Sequence, residues 1–151
     1  MTSSPNDVHG HRRLAVDLFN AVWRFLEQPD RSAAEDDTML HAAHASRFHW
    51  GAIGAPVNLV RGEWQISRVY TVLGRPEAAV YHARRCLELC EGAELEDWDL
   101  PYAYEALARA HAVAGEADEA ARYKGLAREH GSRIVDADDR EHFEHDLATL
   151  P

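Results

Sequence analysis

Sliding the chain 41 residues along itself lays Ile66 on Leu107, Ser67 on Ala108, Tyr70 on His111, Gly74 on Gly115, Ala79 on Ala120 and Cys86 on Ala127. A self-match of this length constrains the fold more than composition does. Each unit must be one supersecondary element, and units must stack to bury an apolar side that none can cover alone. Within each unit an aliphatic residue stands beside a small one and a ring follows at helical spacing. A glycine then closes the run, acids follow, and alanine opens a second run. That punctuation is the one helices use, so the repeated unit reads as a helical hairpin.

The same punctuation divides the rest of the chain. Residues 1–10 are polar, with Pro5 and Gly10, and read as a mobile N-terminus. From His11 to Gln28, Leu14, Leu18, Val22 and Phe25 recur at helical spacing until Pro29 and Asp30 stop the run. Ser32 and the acids of SAAEDD then suit a helix start. Pro56 and Pro76 fit first helical turns, Gly74 and Gly92 fit ends, and Gly62 would let a neighbour approach closely. After the acidic connector AELEDWDL, Asp99 is placed to cap and Pro101 to open a helix that ends at Gly115. Residues 116–130 make another helix and 136–150 a last one, with Phe143, Leu147 and Leu150 inward. Ile134 and Val135 are too short a β-branched run for a strand. The expectation is an all-α fold of seven helices, one domain over residues 11–151, a size that supports a single core.

Between Thr38 and Val60 only Arg47 of 23 residues is permanently charged, although 28% of the chain is Asp, Glu, Lys or Arg. With apolar or small residues on nearly every side, this helix is expected to be covered all round, placing His41, His44 and His49 where each needs a partner. A second subunit is one way to cover it, which makes a homodimer one expectation.

Net charge bounds the partners. Sixteen basic against 26 acidic residues give −10, which opposes nucleic acid and anionic lipid, and no local basic patch offsets it. The charge-poor stretch holds Pro56, Asn58, Arg47 and three histidines, so it is no membrane span, and no signal-like leader is seen. A cytoplasmic protein is expected, with Cys86 and Cys90, one helical turn apart, as reduced thiols.

The runs EWQISRVYTVLGRPEAAVYHARRCLEL and AYEALARAHAVAGEADEAARYKGLA resemble the tetratricopeptide repeat, and residues 11–53 resemble a degenerate copy. The spacing of 41 exceeds that family's usual period of about 34, mostly through the connector 91–98. From HAAHASRFHWGAIG onward the chain is also similar to a set of short bacterial proteins from which no activity follows. The tetratricopeptide resemblance implies a short solenoid of about three hairpins with the last helix as cap. It also implies an adaptor or regulatory role in which the first helices of the hairpins bind a peptide or protein segment on the concave face. Carried over by position, the binding residues are Arg61, Trp64 and Arg68 on one helix and Tyr102, Glu105 and Arg109 on the next, with Asp17, Asn20 and Arg24 as a weaker extension.

Each candidate also has a plainer reading. Arg61 and Arg68, two turns apart on one face, would hold a carboxylate, or would each pair with an acid of the adjacent hairpin such as Glu105. Trp64 and Tyr102 suit a groove or ordinary packing. His41 and His44 are spaced to share a divalent metal with His49, Glu63 and His111 as further ligands, and His82 is available in type. The plainer account has these histidines bonding carbonyls or carboxylates between helices, and His142 and His145 solvated. No phosphate loop, nucleophile elbow or metalloprotease motif is present, so no cofactor is expected. An enzyme built on Glu63 and a buried histidine stays open, because such pairs leave no regular spacing.

Overall fold

The computed structural model describes residues 5–151, and among them every regular element is helical: α1 (Pro5–Glu27), α2 (Ala33–Ile53), α3 (Pro56–Val72), α4 (Pro76–Cys90), α5 (Asp99–Val113), α6 (Ala117–Gly131) and α7 (Ala137–Ala148). Local chemistry sets most boundaries. Ser32 and Glu35 close a reciprocal capping box at the start of α2, satisfying two otherwise orphaned N–H groups. Pro56 and Pro76 sit in the first turns of α3 and α4. Gly74 and Gly115 take φ of 69° and 77°, the left-handed region that glycine enters without a Cβ penalty. Asp136 caps α7 by accepting the Asp139 N–H.

The repeat has a geometric counterpart. Pro76–Cys90 and Ala117–Gly131 are the same element 41 positions apart, and the turns before them share one bond, Arg75 N–H to Tyr70 O and Glu116 N–H to His111 O, both 2.9 Å. Helices pack most extensively as the pairs α1/α2, α3/α4 and α5/α6. The members of a pair run antiparallel: Ser46 donates to Ala15 O and His49 meets His11, while Glu63 faces His82 and Ser67 donates to Ala79 O. On one side α3 touches both α1 and α5, so these three helices converge. Three alanine-rich or aliphatic clusters fill the seams between successive helices, and a fourth, around Phe143 and Ile134, holds α7 against α5 and α6.

Four expectations change. Residues 5–10 are already helical, so α1 starts six positions before His11, and the expected mobile stretch otherwise lies outside the described residues. Leu14 points to solvent, because α1 meets α2 through the smaller Ala15, whose carbonyl takes the Ser46 hydroxyl at 2.7 Å. Asp99 does not cap α5: its carboxylate turns to Arg61 and to the Glu96 N–H. Lastly, α2 is not enclosed. His41, His44 and Phe48 are exposed, Phe48 at 70%. The enclosed helix is α5, buried without a break from Glu105 to His111, because α3, α4, α6 and α7 all pack around it.

Candidate functional site

The converging side carries a groove of about 470 Å³. α1 contributes Phe19 and Trp23, one turn apart on the flank of its apolar seam, α3 contributes Arg61 and Trp64, and the start of α5 brings Trp98, Asp99 and Tyr102. Asp139, His142 and Asp146 of α7 form the far wall, and Cys86 and Val60 lie beneath. The rings form a continuous run. Centroid separations are 6.4 Å for Phe19–Trp23, 5.5 Å for Trp23–Trp64, 5.9 Å for Trp64–Tyr102 and 6.4 Å for Tyr102–Trp98. These are the tilted and edge-on contacts that aromatic quadrupoles favour.

Helices α3 and α5 run side by side in parallel, which places Arg61 and Arg68 of α3 against Asp99 and Glu105, 38 and 37 positions on. Arg61 holds Asp99 through two bonds, Nε–Oδ1 at 3.0 Å and Nη2–Oδ2 at 3.1 Å, and its guanidinium lies 4.4 Å over the Trp98 ring. Arg68 faces Glu105 at 3.6 Å. Glu105 is bonded by Arg109, whose Nη2 also donates to Asp146 O and the Thr149 hydroxyl. Burial raises the Glu105 carboxyl above its ordinary range against the pull of Arg109 and Arg68, and burial with the nearby Arg109 charge lowers Arg68. Tyr102 donates to Asp146 Oδ2 at 2.7 Å; burial first, then that carboxylate, pushes its phenol well up.

The six residues expected on a binding face therefore divide. Arg61, Trp64 and Tyr102 line the groove, whereas Glu105 and Arg109 are covered by α7 and join Arg68 in an ion network that fastens it. Asp17, Asn20 and Arg24 are exposed and do not line the groove. Sequence reasoning missed Phe19, Trp23 and Trp98. The available signal was the i, i+4 spacing of Phe19/Trp23 on a helix already assigned; Trp98 stood in the acidic connector, where no helical spacing marked it.

The histidine set also divides. Glu63, nearly buried on α3, accepts from Arg47 Nε at 3.1 Å and pairs with His82 Nδ1 at 2.6 Å. His82 stacks on Tyr70, and His44 contacts both, with Nε2 2.8 Å from the Tyr70 hydroxyl. Burial raises the Glu63 carboxyl, but the bond and charge of His82 and the charge of Arg47 outweigh it and leave the group below its ordinary value. Burial, then the neighbouring His82, lowers His44. Gly62 is what admits this arrangement: the Arg47 side chain crosses it, and a Cβ there would stand 3.0 Å from Arg47 Cδ. The other three stand apart: His41 is exposed on α2, His49 meets His11 of α1 at 2.8 Å, and His111 lies on Tyr123 between α5 and α6. Among the described residues no three His, Cys, Asp or Glu side chains are grouped to hold a metal ion, and no helix is long and apolar enough to cross a membrane.

Cys86 and Cys90 are free and buried, and they interact with each other: their hydrogen bond raises the Cys86 thiol and lowers that of Cys90. No family model matches the chain, and no curated protein or solved structure does.

Proposed function

We propose that this chain is a tetratricopeptide-like binding module, a short solenoid of three hairpins and a capping helix, that recognises a segment of a protein partner in its aromatic groove. The observation that carries the reading is the unbroken run of five aromatic rings drawn from α1, α3 and α5 along the converging side. Aromatic anchors in a concave, partly desolvated site are what binding energy concentrates on, and about 470 Å³ accommodates a few side chains of an extended segment. The 41-residue register of α4 and α6 supports the repeat architecture. The binding face differs from the one implied by family resemblance: it is the N-terminal half of α3 and α5 with α1, since α7 covers the rest. The test is site-specific photocrosslinking with a benzophenone side chain at position 19, in the groove, or at position 48, outside it. Discrete adducts from position 19 and none from position 48 are expected; the reverse pattern would reject the groove.

A second reading rests on the Glu63–His82 pair. A carboxylate on Nδ1 orients an imidazole and makes its other nitrogen a better base or metal ligand. In this reading His82 and His44 bind a divalent ion or a small ligand between α2 and α4. Calorimetric titration with zinc checks it: saturable heat that disappears in His82→Ala is expected, and heat unchanged in that variant would reject it.

A further inference from the structure

We infer that the segment this groove accepts is basic, presenting an arginine or lysine flanked by apolar residues; the inference rests on the binding reading above. The groove's charges carry the argument. Arg61, its one guanidinium, is already matched by both oxygens of Asp99, at 3.0 and 3.1 Å, so that pair brings no net charge to an occupant. The two carboxylates on the α7 wall have no such match. Asp139 is exposed and its carboxylate has no side-chain partner among the described residues. Asp146 accepts the Tyr102 hydroxyl and faces His142 at 3.5 Å, but no Lys or Arg pairs with its side chain among the described residues.

A cation entering between these acids and the rings meets the unpaired carboxylate of Asp139, with Asp146 beside it, on one side and π faces on the other. The protein already displays that combination internally, in the Arg61 guanidinium held between the Asp99 carboxylate and the Trp98 ring at 4.4 Å. An acidic segment would instead place a carboxylate beside Asp139 and Asp146, and among the described residues lining the groove no Lys or Arg is left unpaired to meet it. The net charge of −10 acts in the same direction at long range and speeds encounter with a basic partner.

The test is selection of a displayed random-peptide library against the full chain, followed by calorimetry with the selected peptides. Arg or Lys beside apolar residues should be enriched, and binding should weaken with added salt. Trp23→Ala should abolish binding, with Phe19→Ala as the second variant should Trp23→Ala unfold. The Asp139→Asn/Asp146→Asn double variant should bind roughly tenfold more weakly, because two partly exposed ion pairs are lost. The amide oxygen that this variant carries at position 146 still accepts the Tyr102 hydroxyl, so the fold is retained. Peptides that need Trp23 but are neutral or acidic, or that bind the double variant as tightly, would overturn the basic preference and leave the groove standing. Failure to select any peptide, or selected peptides indifferent to both groove variants, would overturn the groove reading and this inference with it.

Discussion

Glu63 is the residue on which α2, α3 and α4 converge: one oxygen takes Arg47 and the other His82. Replacing it with Gln leaves Arg47 and His82 without a counter-charge, which costs about 2–4 kcal/mol in denaturant unfolding. Its pH dependence has a definite sign. The folded carboxyl titrates below its ordinary value near 4.5, so as pH falls the unfolded chain takes the proton first. The stabilisation is complete above that value and is lost as pH falls through the lower, folded one. His44 behaves in the opposite chemical sense with the same result. Its folded value lies below 6.5, so stability declines once pH drops under 6.5, where the unfolded imidazole protonates and the folded one resists. The His44 ring resonances should titrate below 6.5, and lower still in Glu63→Gln, where an attractive charge is removed.

At the scale of the element, α7 is held by shape as much as by charge. Gly131 ends α6 against the Phe143 ring, and a Cβ there would stand inside the ring's contact distance. Gly131→Ala should therefore displace α7 and cost about 1–3 kcal/mol in thermal unfolding. Gly125, in the same helix with open space where a Cβ would sit, gives the opposite outcome: Gly125→Ala should stabilise by about 0.5–1 kcal/mol.

Helix ends were legible in the sequence because Gly74, Gly115, Pro56, Pro76 and Ser32 act locally. Which helix is enclosed was not legible. From Thr38 on, α2 carries Arg47 as its only permanent charge yet leaves Phe48 in solvent, while α5 carries Glu105, Arg109 and His111 and is buried. Burial of Glu105 and Arg109 depends on Arg68 and Thr149 arriving from other elements to satisfy them, and no local pattern records that. The groove was half legible. Arg61, Trp64 and Tyr102 follow from their places in the repeat, whereas Phe19, Trp23 and the α7 wall join them only through packing.

Across the whole molecule, the convergence of α1, α3 and α5 makes the groove, and α7 decides how much of it stays open by covering Glu105 and Arg109. Three of the four tryptophans, Trp23, Trp64 and Trp98, line it, and the fourth, Trp50, is buried elsewhere on α2. That distribution supplies an internal control for the claim that the groove is the binding face. The measurement is a two-dimensional ¹H–¹⁵N spectrum of the four indole N–H groups during titration with a library-selected peptide. Shifts in Trp23, Trp64 and Trp98 with Trp50 unmoved are predicted; movement of Trp50 with the other three unchanged would contradict the account.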